Sequence, residues 1–379
     1  MEVKNDYNET LTNLACSIRK YFDLDYKHET IEYIDKILEE RKPKNVVTIL
    51  FDGMGSNIID KILSPDSFFI KHRLKPITTV FPATTVAATT SIQTGLNPVE
   101  TGMLGWSMYF KEIDKTINVF PETEKGDIEE KQLKEAEEFK KKYMKTKTIV
   151  QDINESEKYK AYKLFPFGEN SYSNTDEMFA RIEKICSEDG KKYIYAYDIE
   201  PDHSMHRQGT YCDEVKNIIK DRNEKVEQLC KKLHDTVIFV IADHGHITVE
   251  NMFLKDYPDV VECLERNTSI EPRAVNFFIK QEKKEIFVEL FNKYFGEDFD
   301  LWTKEEVINK KLFGDGEENT IFRSALGDYL AISKNNKTLL YEGDKEFLSQ
   351  HAGYTDDEIL IPLIAIEIDK KMEEMLWII

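Results

Sequence analysis

Hydrophobic positions along the chain fall into two kinds of pattern. Short, nearly continuous apolar runs rich in β-branched and aromatic residues occur at 46–51, 193–197, 237–242 and 361–366. Runs without polar alternation predict strands buried on both faces, as in a parallel sheet. Pro362 lies in the last run, and its missing N–H places it at a strand start or edge. Between the runs, apolar residues recur at helical spacing. Leu14, Ile18 and Phe22 form one face within 8–41, and Ile31, Ile34 and Leu38 another, with Pro43 ending the second helix. Further helical patterns lie at 174–188, at 205–233 and, shorter, around 86–93. Strands alternating with helices predict a doubly wound α/β fold.

Two segments interrupt this alternation. Residues 110–146 are dense in Lys and Glu and read as a solvated loop followed by a charged surface helix. Residues 267–320 carry a strand-like run at 274–279 and two helical patterns, and they separate the Asp243 region from the His351 region. They are expected to form an inserted α+β cap subdomain, with 1–266 and 321–379 making the catalytic core.

Composition narrows the classes of function. The chain has 379 residues, 41% hydrophobic, enough for a large core. Its formal charge of −19 excludes a general binder of long nucleic acids, since phosphate neutralisation needs a basic surface. No apolar stretch reaches the ~18 residues of a membrane span, and the N-terminus has no basic segment followed by an apolar one. The five cysteines are scattered and form no CxxC pair. These features predict a reduced, cytoplasmic protein without a membrane anchor. Nothing in the sequence sets the oligomeric state.

Ligands of open α/β sheets bind beyond the carboxyl ends of the strands, so the residues following each run carry the chemistry. Asp52 follows the first run. Asp198, Asp202, His203 and His206 follow the second. Asp243, His244 and His246 follow the third, and His351 precedes the fourth. Five of the chain's eight histidines fall in these places. Asp202 and His206 are four apart at a helix start, so both project from one face. An N-capping aspartate with a surface histidine would look the same. Asp243-His244-Gly245 and Asp52-Gly53 could equally be polar turns. Taken together, the carboxylates and imidazoles suit a pair of divalent cations, zinc before manganese. In Phe81-Pro82-Ala83-Thr84-Thr85, hydroxyls open a helix, where free N–H groups favour an anion. Thr84 or Thr85 could also be a plain N-cap.

The motif order resembles the alkaline phosphatase superfamily and, within it, the type I phosphodiesterase/nucleotide pyrophosphatase family. The matching pieces are Asp52-Gly53, Phe81-Pro82-x-x-Thr85, Ser91-Ile92-x-Thr94-Gly95, Pro201-Asp202-x-x-x-His206, Asp243-His244-Gly245 and His351-x-Gly353. The resemblance implies an alkaline-phosphatase-like α/β fold, with a mostly parallel central sheet covered by helices on both faces. It implies two metal sites. Asp52, Asp243, His244 and Thr85 would hold one ion, and Asp202, His206 and His351 the other. Thr85 would attack phosphorus in line and form a phosphothreonine. His203 and His246 match no ligand position and read as supporting residues. Two positions depart from the pattern: Thr84 stands where many relatives have Lys, and Trp106 where they have Asn. Trp106 is expected to line the substrate pocket.

The implied substrate is a small phosphate diester or nucleotide pyrophosphate. The Thr85 motif carries no Arg or Lys for the extra charge of a monoester. A phosphomonoesterase, phosphonate hydrolase or phosphomutase is the alternative on the same scaffold, and an inactive metal-stabilised binding protein the remote one.

Overall fold

The computed structural model describes residues 7–370 except 130 and 169. Its centre is a five-stranded sheet in the spatial order Leu363–Ile368, Thr236–Ile241, Asn45–Phe51, Lys192–Asp198, Lys160–Leu164. The inner pairings are parallel, and Leu363–Ile368 runs antiparallel to Thr236–Ile241. All four apolar runs therefore contribute to one mostly parallel sheet. Every residue of Asn45–Phe51, Lys192–Asp198 and Thr236–Ile241 is buried, because helices cover both faces. The fifth strand, Lys160–Leu164, is an edge strand with exposed lysines and no continuous apolar run to announce it.

The helices fall near their expected places, at Leu11–Tyr21, Glu32–Arg41, Thr85–Thr94 and Thr175–Ser187. The pattern at 205–233 divides into Asp202–Gln208 and Asp213–Cys230, with the chain turning at Gly209. The run at 361–366 also divides. Leu360–Ile361 pairs with Ile77–Thr78, and Leu363–Ile368 joins the central sheet. Pro362 has no N–H to donate and sits at the break.

A second, seven-stranded sheet is antiparallel throughout, in the order Phe299–Thr303, Tyr329–Ser333, Ala274–Phe277, Ser269–Glu271, Ser107–Phe110, Lys115–Asn118, Thr123–Glu124. Segment 267–320 supplies three of these strands. Tyr329–Ser333 and the three strands between Ser107 and Glu124 supply the rest. Residues 107–124 are thus sheet rather than solvated loop. Lys134–Tyr143 is the expected charged helix, with only Ala136 and Phe139 buried. No helix among the described residues is long and apolar enough to cross a membrane.

Candidate active site

Parallel register brings the chemistry together. Phe51 is level with Asp198, and Leu50 with Ile241, so the residues that follow leave the sheet at one edge. The Asp52 amide donates to Asp198 O at 2.9 Å, and the Asp202 amide to Asp52 O at 3.0 Å. Gly53, at φ +71°, lets the Asp202 helix press against this turn. A Cβ there would lie 2.8 Å from Met205 Cε and 3.0 Å from Asp202 Cβ. The Gly53 and His244 amides both donate to Asp243 Oδ1 at 3.0 Å. Gly245 is needed for close approach, since a Cβ would lie 2.0 Å from Asp357 O.

Two groups of side chains result, Asp52 with Asp243 and His244, and Asp202 with His206, His246 and His351. Within each, the potential ligand atoms all lie within 4.8 Å of one another. His244 Nε2 is 3.3 Å from Asp52 Oδ1, 3.5 Å from Asp243 Oδ2 and 3.2 Å from Thr85 Oγ1. The Tyr197 hydroxyl donates to Asp52 Oδ2. Asp52 Oδ1 and Asp243 Oδ2 are buried with no hydrogen-bond partner. Buried carboxylate oxygens without partners are costly unless a cation neutralises them.

The ring orientations point the same way. His244 Nδ1 contacts Gly245 O at 3.0 Å, His206 Nδ1 contacts Ser349 O at 2.9 Å, and His351 Nδ1 contacts Ala83 O at 3.0 Å. A carbonyl only accepts, so each Nδ1 carries the proton and each Nε2 keeps its lone pair for a ligand. His206 Nε2 and His351 Nε2 lie 3.4 and 3.9 Å from Asp202 Oδ1. The His244 and His351 rings stack at 3.8 Å and join the two groups.

Electrostatics agree with this arrangement. Burial, then the Asp202 carboxylate, pushes Asp52 well above the usual carboxylate range. Burial, then Asp52, does the same to Asp243. Burial works against ionised Asp202 too, but His206, His246 and His351 outweigh it and hold Asp202 well below that range. Burial lowers His351 well below the normal imidazole value. A dication among these groups would reverse the penalty on both raised carboxylates.

All seven residues matched to metal or nucleophile positions converge here. His246, which the sequence offers as a supporting residue rather than a ligand, has its Nε2 2.6 Å from Asp202 Oδ1. The Asp243-His244-Gly245-His246 spacing was the available signal. What delivers His246 to the site is the pairing of Ile247–Thr248 with Ser349–Gln350, which also carries His351. His203 is exposed on the rim.

Thr85 opens the helix Thr85–Thr94, and neither threonine acts as a plain cap. Thr84 occupies the N-cap position without a side-chain cap bond, and its hydroxyl donates instead to Glu271 Oε1 at 2.5 Å. Thr85 faces a cleft of about 580 Å³ between the strand ends and the second sheet. Asp202, His206, His351, Trp106 and Glu271 line it with Thr85. Trp106 is 42% exposed, which places it on the wall rather than in the core. Its ring packs edge-on against Phe120 at 6.1 Å. A more open hollow of about 720 Å³, lined by Asn57, Asp300, Lys334 and 354–357, contains none of the clustered groups.

The sequence profile of the type I phosphodiesterase/nucleotide pyrophosphatase family matches residues 46–355. The chain belongs to that family. It is accordingly a phosphodiesterase/nucleotide pyrophosphatase-type hydrolase. Among curated proteins, none matches it by sequence. Solved structures of murine ectonucleotide pyrophosphatase/phosphodiesterase 5 share its fold, with a TM-score of 0.63 and 17% identity over 84% of this chain and 87% of the other. The human protein gives a TM-score of 0.63 at 15% identity over 86% and 90%. An inactive threonine-to-alanine form of the murine protein, in complex with AMP, gives 0.63 at 16%. At these identities the likeness is one of fold.

Proposed function

We propose that the chain hydrolyses small phosphate diesters or nucleotide pyrophosphates, using Thr85 as nucleophile and two divalent cations. The observation that carries this reading is the pair of partnerless buried oxygens, Asp52 Oδ1 and Asp243 Oδ2. They surround His244 Nε2, which lies 3.2 Å from Thr85 Oγ1. Asp52, Asp243, His244 and Thr85 would hold one ion, and Asp202, His206 and His351 the other, with His246 beside them. The oxygen and nitrogen donors suit zinc first and manganese second. Bound cations would supply charge neutralisation on the phosphoryl oxygens and lower the pKa of a hydroxyl. Thr85 Oγ1 forms a bond to phosphorus as the leaving oxygen departs, and water then cleaves the phosphothreonine to regenerate the hydroxyl. The helix N-terminus beneath Thr85 orients N–H groups towards the phosphate. The second sheet closes the cleft above and shapes the leaving-group side. The AMP complex of the murine protein supports an occupant of nucleotide size. Five free cysteines support a reducing, intracellular setting.

Hydrolysis of bis-p-nitrophenyl phosphate tests this reading. Exhaustive chelation is expected to abolish turnover, and zinc or manganese to restore it. Full turnover by metal-free protein would refute the two-cation proposal.

Removing one imidazole supplies a second test. His246→Ala is expected to weaken retention of metal in the Asp202 group, read as a lower metal content after dialysis. Unchanged metal content would limit His246 to packing.

A further inference from the structure

We propose that Glu271 is a specificity-determining residue whose carboxylate biases the cleft towards singly charged phosphate diesters and against doubly charged phosphate groups. The proposal rests on the hydrolase reading above. Glu271 ends the strand Ser269–Glu271 and lines the cleft together with Thr85. One of its oxygens does two tasks. Oε1 accepts from Thr84 Oγ1 at 2.5 Å and from the Trp106 amide at 2.9 Å. It thereby ties the residue before the nucleophile to Trp106, which also lines the cleft. Oε2 accepts no hydrogen bond from any described residue.

No cation pairs with Glu271 among the described residues. Lys125, which follows the strand Thr123–Glu124, is paired with Asp344 at 2.8 Å. Burial pushes Glu271 up to about 7, against the two hydrogen bonds it accepts, so in mildly alkaline solution it is an anion on the wall of the cleft, which Lys345 also lines. Such a charge repels each added negative charge on a bound phosphate. A monoester or inorganic phosphate, dianionic at that pH, pays more than a monoanionic diester. Rejection of the competitor by a like charge is a recognised route to selectivity. Thr84 binds this oxygen through its hydroxyl and Trp106 through its backbone amide.

The test uses full-length, metal-loaded protein at pH 8.5, with bis-p-nitrophenyl phosphate as the diester and p-nitrophenyl phosphate as the monoester. Glu271→Gln keeps the acceptor oxygen for Thr84 and Trp106 and removes the charge. It is expected to raise the monoester-to-diester ratio of kcat/KM at least tenfold and to lower the inhibition constant of inorganic phosphate by a similar factor. Glu271→Asp, which keeps the charge, should hold both values near wild type. A parallel loss of both activities with no change in ratio or phosphate inhibition would reduce Glu271 to a packing role and overturn the proposal. Wild-type protein inactive on both substrates would instead refute the hydrolase reading itself.

Discussion

Thr85→Ala should cut diester hydrolysis on the order of 10³-fold or more, because removing a covalent nucleophile removes the first chemical step. The bound metal should remain. Asp52, Asp243 and His244 are held in place by bonds that do not involve Thr85, namely Tyr197 to Asp52, the Gly53 amide to Asp243 and His244 Nδ1 to Gly245 O. Among the described residues, the side-chain hydrogen bond of Thr85 is the 3.2 Å contact with His244 Nε2, so stability should change little. Three measurements decide the matter: turnover of bis-p-nitrophenyl phosphate, metal content by elemental analysis, and a thermal melt. Lost turnover with retained metal and an unchanged melt supports a nucleophile. Unchanged turnover refutes the assignment, and lost metal would make Thr85 a structural ligand instead.

The sequence made the central sheet readable for a simple reason. A strand buried on both faces disfavours polar residues, so 46–51, 193–197 and 237–242 stand out as apolar runs; Asp52 follows the first, and acid with imidazole follows the other two. The edge strand Lys160–Leu164 obeys a different rule. It is five residues long, with exposed lysines at 160 and 163, and reads as loop. The strands between Ser107 and Glu124 were hidden differently: each is two to four residues long, and most of the lysines and glutamates of this stretch lie in the turns that join them. The metal-type residues were legible because each sits at a strand exit in a fixed local motif. His246 and Glu271 were not, because their partners are distant in sequence. Asp202 lies 44 residues from His246, and Thr84 lies 187 residues from Glu271. Thr84 illustrates the limit well. Its position at a helix start predicts capping, and only the fold reveals that a buried carboxylate claims its hydroxyl.

The second large effect is on stability. Arg273 and Glu358 are both fully buried and pair bidentately, Nε to Oε1 at 2.6 Å and Nη2 to Oε2 at 2.8 Å. The remaining donors and acceptors are also satisfied. Arg273 donates to Lys337 O at 2.7 Å and to Asn335 O at 2.6 Å. Glu358 accepts from the Gly353 amide and the Thr355 hydroxyl, each at 2.7 Å. The pair therefore bolts the second sheet to the turn that follows His351. Removing one partner leaves the other charge buried and alone, so Arg273→Ala or Glu358→Ala should each cost roughly 3–5 kcal/mol in urea unfolding at pH 7. Burial opposes ionisation of Glu358, but the Arg273 charge and the bonds from Arg273, Thr355 and Gly353 outweigh it and hold its pKa below the usual value. A carboxyl depressed in the folded state contributes its full stability above the unfolded pKa of about 4.3, and loses it as pH falls through the lower folded value. Metal-free wild type should accordingly weaken on acidification below about pH 4.3, and Glu358→Gln should lack that component. Replacing both residues with well-fitting apolar side chains should cost less than either single change, since the desolvation of two ions is relieved together. A double variant as unstable as the sum of the singles would mean that the two residues act independently and that the bidentate pair is not what joins sheet to turn.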